Sequence, residues 1–249
     1  MRPLILITND DGYESNGLKS LVEVASRYGE VVVVAPKHNS SGLSHSITAV
    51  RPIRCKKIEE RANCVIYSCD GTPVDCVKIG VEHYCGRRPD VVLSGINHGS
   101  NASINVVYSG TMAAVMEASM LGYAAIGFSL LNHSHDADLT ASMQVADKVI
   151  AKVLREGLPV GVSLNVNIPD VESVEGIRVC RQSDARWIDS YLPRGEVDGE
   201  VLYSLSGYFE CSDNGPGTDQ YWLERGYATV VPTTNDFTAH EWVAKWGEK

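Results

Sequence analysis

Apolar residues along this chain fall into short runs separated by longer amphipathic stretches. Leu4-Ile5-Leu6-Ile7, Glu30 to Pro36 (EVVVVAP), Asp90 to Ser94 (DVVLS), Ala124 to Ser129 and Val162 to Ile168 read as buried strands. Between them, Gly17 to Tyr28 carries Leu18, Leu21, Val22 and Ala25 on one helical face, with Ser15 or Asn16 to cap it. Thr72-Pro73 opens a helix to about Tyr84, with proline in the favoured first position. Ser109 to Gly122, rich in Ala and Met, and Asp138 to Arg155 are further helices. Ser46 to Val50, Ile53 to Ile58 and Val65 to Ser68 read as hairpin-like strands.

Alternating strands and helices predict an α/β fold with a Rossmann-like three-layer α/β/α core, a mainly parallel sheet and right-handed crossovers. Residues 1–168 form the expected catalytic core. From Pro169 to Pro216 the pattern changes to short β-like pieces (Ile177 to Arg181, Val201 to Leu205) among charged, Gly- and Pro-containing loops. Segment 169–216 is therefore an expected arm or hairpin for packing on another subunit, since compact domains seldom carry such a stretch without use. Residues 217–249 contain a helix (Thr218 to Tyr227), a strand (Ala228 to Pro232) and a terminal helix (Ala239 to Trp246). They either return to the core or exchange with a partner.

Composition narrows the class. With 44% apolar and 21% charged residues in 249, the chain is that of an ordinary globular protein. A net charge of −9 argues against a nucleic-acid polymer as partner, which needs a basic face. No run of about 18 apolar residues offers a membrane span, and the N-terminus leads straight into a strand without a signal-like segment. Seven cysteines, an odd number without a CxxC pair, fit reduced thiols and a cytoplasmic location.

The first strand ends in Thr8-Asn9-Asp10-Asp11-Gly12. Two carboxylates at one strand tip repel unless a proton or cation relieves them, and a hard divalent cation takes oxygen ligands. The plain structural account is a turn with helix capping. Three further oxygen-rich segments follow predicted strands. They are Asn39 to Ser46, with Ser41 and Gly42; Ser94 to Asn101, where Asn97 offers a carbonyl oxygen; and Tyr108-Ser109-Gly110-Thr111, which opens a helix and can bind an anion on free N–H groups. Each alone is ordinary loop or cap chemistry. On one side of a parallel sheet, beside two carboxylates, together they are the kit for phosphoryl chemistry. Asp10 and Asp11 are adjacent rather than separated by one residue, which disfavours an Asp-x-Asp route through an aspartyl-phosphate. His45 and His98 read as surface or supporting residues, and His133-Ser134-His135-Asp136 as a solvated loop. Tyr108, Tyr191 and Trp222 are conceivable base platforms, each with an ordinary packing explanation.

These motifs taken together resemble the SurE family of survival proteins. The resemblance rests on TNDDG at Thr8 to Gly12 with Gly17 after it, VVAP at Val33 to Pro36 with Ser41-Gly42 and Ser46-Ile47-Thr48, GTPVDCV at Gly71 to Val77, SGIN-x-G-x-N at Ser94 to Asn101, YSGT-x-A at Tyr108 to Ala113, and Thr218-Asp219. It covers nearly the whole chain, tightly in the first two thirds and loosely in the arm.

The resemblance implies a metal-dependent phosphatase acting on nucleoside 5′- and 3′-monophosphates, with trimming of short polyphosphate in some members. It implies one divalent metal ion per subunit, Mg²⁺ or Mn²⁺, held by Asp10, Asp11, Ser41 and Asn97, with Asp10, Asp11 and Asn97 forming the catalytic centre. Metal-activated water would attack phosphorus. Asn9, Gly42, Asn101, Ser109, Gly110 and Thr111 are the corresponding phosphate-binding candidates. A homodimer or homotetramer that exchanges a C-terminal element is also implied. No residue stands out as donor of the leaving-group proton. Competing readings keep the same site for polyphosphate or other phosphate esters, or make the protein a nucleotide or metal sensor without turnover.

Overall fold

The computed structural model describes residues 2–247. In chain order its strands and helices are β1 (Leu4–Thr8), α1 (Asn16–Ala25), β2 (Glu30–Pro36), β3 (Cys55–Arg61), β4 (Cys64–Cys69), α2 (Pro73–Ile79), β5 (Val91–His98), α3 (Gly110–Met120), β6 (Ala125–Leu130), α4 (Thr140–Glu156), β7 (Val162–Ile168), β8 (Ile177–Val179), β9 (Ala185–Val197), β10 (Glu200–Cys211), α5 (Asp219–Leu223), β11 (Ala228–Thr234) and α6 (His240–Gly247). A π-helical turn, Gly80–Tyr84, extends α2, and a 3₁₀ turn, Ser103–Val107, precedes α3.

Nine strands make one sheet in the order β3-β4-β2-β1-β5-β6-β7-β11-β8. The six from β4 to β7 are parallel; β3 on β4 and β11 on β7 are antiparallel. Alternation along β1 divides the core. Ile5 and Ile7 face Leu18, Leu21, Val145, Val149 and Ile150 of α1 and α4. Leu4 and Leu6 face Cys76, Val77, Met112 and Val115 of α2 and α3. Period-two strands between helices on both faces thus give the expected three layers. The chain leaves β1 toward β2 on one side and reaches β5 on the other, so the carboxyl end of β1 lies at the topological switch point where open α/β sheets bind ligands.

Helix starts follow local chemistry. Ser15 Oγ accepts the Leu18 N–H (3.3 Å), Ser109 Oγ accepts the Met112 N–H (3.0 Å), and Thr72 with Asp75 makes a reciprocal capping box ahead of Pro73. Each cap is worth about 1 kcal/mol.

Three expectations need correction. Ser46 to Val50 is not a strand: Thr72 Oγ1 binds the Ser46 carbonyl (2.8 Å) and the Asp75 carboxylate binds the Thr48 N–H (3.2 Å), so side chains take the groups a ladder would need. The exit from β5 is not a loop at Gly95. The register shifts between Ser94 and Asn97, Gly95 adopts φ +125°, and the strand resumes through His98. The segment 169–216 is not wholly an arm, because β8 belongs to the main sheet beside β11. The arm itself is the hairpin β9–β10, and β9 escaped the sequence pattern because, Ala185 apart, none of its residues is fully buried, which leaves no alternation to read. Beyond it, α5 and β11 return to the core, whereas α6 has no buried residue and exposes Trp242, Val243 and Trp246.

One buried carboxylate ties the arm to the core. Asp219, fully buried, accepts the Ser103 N–H (2.7 Å), the Ser183 N–H (2.9 Å), the Ser183 hydroxyl (2.6 Å) and the Gln220 N–H (2.8 Å). Replacing it with alanine strands several buried donors, each costing about 1–3 kcal/mol. Asp219→Ala should therefore lower the free energy of unfolding by roughly 3 kcal/mol or more in urea titration and expose the hairpin to limited proteolysis; an unchanged midpoint would refute this anchoring role.

Candidate active site

The site grows from the tip of β1. Asp10 is 3% exposed, and Thr111 Oγ1 donates to its Oδ1 at 2.5 Å, while the Thr111 and Asp10 backbone N–H groups also point at the carboxylate. This close approach requires glycine at position 110. A Cβ there would lie 2.8 Å from Asp10 Cβ and 3.0 Å from its Oδ2. Burial, against the opposing Thr111 bond and with the Asp11 charge in support, raises the Asp10 carboxyl from 3.8 to about 6. Burial also raises Asp11, whose Oδ2 accepts the His98 N–H at 3.3 Å.

Among the described residues no lysine or arginine pairs with these two acids, and His135 only partly offsets the burial of Asp11. The nearest candidate, His98 Nδ1, is 3.9 Å from Asp11 Oδ2. Burial, followed by the neighbouring His135 and His133, pushes the His98 imidazole down, and both its ring nitrogens are buried without partners. Asn97 donates Nδ2 to the Gly99 carbonyl (2.8 Å), leaving its amide oxygen as the free end at the cavity wall. Two buried carboxylates and a presented amide oxygen are hard donors that suit Mg²⁺ or Mn²⁺. Among the described residues no group of three or more His, Cys, Asp or Glu is placed to hold a metal. A cation here would need the amide and a hydroxyl.

A cavity of about 890 Å³ opens from this point. Asp10, Ser41, Gly42, Asn97, Asn101 and Ser109 share its wall. Ser109 Oγ accepts from Met112, so its O–H is left to donate outward. The Ser41 amide is held by Asn39 Oδ1 (2.7 Å), and Gly42 adopts φ +76°. Asn101 is largely committed elsewhere: its N–H goes to Asn167 Oδ1 (2.9 Å), its Nδ2 to Ser129 Oγ (2.7 Å), and its carbonyl accepts Asn165 Nδ2 (2.8 Å). One amide N–H of Asn101 remains for a ligand.

Asn9 and Thr111 are not on the wall. Asn9 is fully buried and spends its amide on Gly12 and Ser15, shaping the turn that presents the two acids. Thr111 serves Asp10. Gly110 is the close-approach position described above.

Three features lay outside the sequence reading. Asn165 and Asn167, joined at 2.8 Å, looked like ordinary β7 residues; the signal was polar side chains inside a buried strand. The 133–136 loop is not merely solvated, because His133 lines the cavity and the His135 ring is 5.4 Å from that of His98. The far wall comes from the hairpin, where Trp187 meets Phe209 edge-on at 5.5 Å and donates Nε1 to Asn105 Oδ1 (2.7 Å). Of the three aromatics considered from sequence, only Tyr108 reaches this cavity; Trp222 instead packs with Tyr221, Tyr227 and Arg178.

Residues 5–189 match the family described as Survival protein SurE. The chain belongs to the SurE family. A protein named 5′-nucleotidase SurE from Christiangramia forsetii is 47% identical over 97% of this chain and 95% of its own length. One of the same name from Cytophaga hutchinsonii is 45% identical over 96% and 94%. The crystal structure of the SurE protein from Aquifex aeolicus superposes with a TM-score of 0.85 at 35% identity, covering 99% of this chain and all of that one. Family membership and fold therefore agree over nearly the whole chain.

The Asp10 environment gives a pH signature. Its folded value lies above the unfolded one, so the folded state holds more protons between 3.8 and about 6 and metal-free stability falls as pH rises through that window. The rise corresponds to roughly 3 kcal/mol at the upper limit. Metal-free Asp10→Asn should therefore melt higher than wild type at pH 8 and converge with it near pH 4. Stabilisation by Mn²⁺ should appear in wild type above pH 6 and be lost in the variant. Equal melting at both pH values would contradict an unrelieved charge at Asp10.

Proposed function

We propose that this SurE-family chain is a divalent-metal-dependent phosphatase that hydrolyses nucleoside 5′-monophosphates, and 3′-monophosphates, to nucleoside and phosphate. The observation that carries the reading is the Asp10–Asp11 pair without a lysine or arginine partner among the described residues, with Asp10 on the wall of a cavity that Trp187 and Phe209 also line. The names of its relatives support it.

In this reading Asp10, Asp11, Asn97 and Ser41 hold one Mg²⁺ or Mn²⁺ ion. When bound, that ion polarises a phosphoryl oxygen and acidifies a water. Thr111 and the helix N-terminus fix the Asp10 carboxylate. The Ser109 hydroxyl, the Gly42 amide and the spare Asn101 N–H bind the remaining phosphoryl oxygens, where transition-state charge gathers. Trp187 and Phe209 receive the base, with the indole held by Asn105. That wall favours nucleotides over polyphosphate, which has nothing to stack. Exposed apolar side chains on α6 and along the hairpin, among them Trp242, Trp246, Tyr203 and Leu205, support assembly into a homodimer or homotetramer. Among the described residues no helix is long and apolar enough to cross a membrane, and a cytoplasmic setting fits this reading.

Phosphate release from a panel of nucleoside 5′- and 3′-monophosphates with Mn²⁺, Mg²⁺ or EDTA tests the activity. Release should need metal and fall at least about 100-fold in Asp10→Asn, since a preorganised electrostatic group is worth that much or more. Inert nucleotides, polyphosphate and generic esters together would move the reading to a sensor. Trp187→Ala should raise KM for nucleotides about tenfold, in line with roughly 1–3 kcal/mol per stacked base, and leave a small aryl phosphate ester unaffected; equal losses on both would remove the base from that wall.

A further inference from the structure

Away from the cavity, three of the seven cysteines converge. Cys55 opens β3, Cys69 closes β4, and Cys76 lies on α2 beneath them. Cys55 and Cys69 are direct register partners on the antiparallel ladder. The next pair outward, Arg54 and Asp70, is joined by the Asp70 N–H on the Arg54 carbonyl (3.0 Å). Hydrogen-bonded and non-hydrogen-bonded pairs alternate on such a ladder, so Cys55 and Cys69 form a non-hydrogen-bonded pair, with Cα atoms about 4.5 Å apart and side chains on one face. That spacing lies within the range a disulfide spans.

The three thiols are near enough to perturb one another. The Cys76 thiol, the Gly71 N–H and the Cys55 thiol all donate to the Cys69 sulfur and, against burial, bring it down to about 7. Burial and the neighbouring Cys69 push Cys55 up to about 12 and raise Cys76 as well. Cys69 is fully buried, while half-buried Cys55 is the one that solvent reaches. Cys55 lies on the outer edge strand of the sheet, flanked by exposed Arg54, Lys56 and Lys57, which favour an anionic reagent. Among the described residues these sulfurs do not form a metal-holding group.

We propose that Cys55 and Cys69 are a dithiol pair that closes into a reversible cross-strand disulfide by exchange with a low-molecular-weight disulfide. Cys55 gives up its proton to solvent, and the Cys55 thiolate attacks one sulfur of the reagent. A mixed disulfide forms on Cys55 and one small thiolate leaves. Cys69 then loses its proton and attacks Cys55 Sγ, expelling the second small thiol. Two protein thiols are oxidised by two electrons, and the reagent is reduced to two thiols. Cys76 stays reduced. The bond would brace the end of β4 that leads into Thr72 and Asp75, the residues that hold Ser46 and Thr48 of the segment carrying Ser41.

The full chain, reduced and then exposed to oxidised glutathione at pH 8, should lose 2 Da with no glutathione retained (two hydrogens removed). After alkylation in denaturant, five of its seven thiols should be labelled, and digestion should yield a dithiothreitol-sensitive peptide joining Cys55 to Cys69. The thermal midpoint of the oxidised protein should rise by about 5 °C. Cys69→Ser should stop at a stable glutathione adduct on Cys55. Cys55→Ser, a change at a half-buried edge position that tests the pair should Cys69→Ser not fold, should keep all six remaining thiols. Seven labelled thiols in treated wild type, a persistent glutathione adduct on wild-type Cys55, or a link between Cys69 and Cys76 would overturn the proposal.

Discussion

Two carboxylates forced together at the end of a buried strand set the terms for everything around them. Asp10 and Asp11 cannot both hold their charge in a water-poor pocket without help. The surrounding chain supplies only part of it, through the Thr111 hydroxyl, the helix N-terminus and the His98 N–H. The help stops short of a full countercharge, and His98, kept neutral by burial, does not complete it. An acid pair left in such a deficit costs the fold stability whenever both groups are charged.

That deficit explains the tight tolerances nearby. Position 110 holds a glycine because a β-carbon would strike Asp10, and Asn9 is spent on shaping the turn rather than on a ligand. Farther out, Asn101, Ser129, Asn165 and Asn167 form a buried network that fixes the cavity floor across β6 and β7. Such networks are stabilising only when their members are satisfied, and here they are linked in sequence. Asp219 plays the same part for the hairpin, drawing the start of β9 and the turn at Ser103 onto one carboxylate. The aromatic side chains are thereby held on the same cavity as Asp10.

Much of the fold was legible in the sequence because strands buried on both faces and amphipathic helices write their periods directly into the chain. The five central strands, the capped helices and the acid pair at the end of β1 were all readable this way. Ser46 to Val50 misled because its apolar alternation is real, yet its polar groups are claimed by Thr72 and Asp75, which are distant in sequence. The hairpin β9–β10 was only partly legible because an exposed ribbon imposes no burial pattern.

By itself, then, the sequence determined the layered α/β core and the two acids at the end of its first strand, since these depend on local period and on chemistry at strand ends. Tertiary structure alone decided which residues face the cavity. It turned Asn9 and Thr111 inward, brought His133 from a loop and Trp187 from the hairpin to the wall, and paired Cys55 with Cys69 across a ladder. Such outcomes rest on register and on hydrogen bonds between groups tens of residues apart, and no local pattern encodes them.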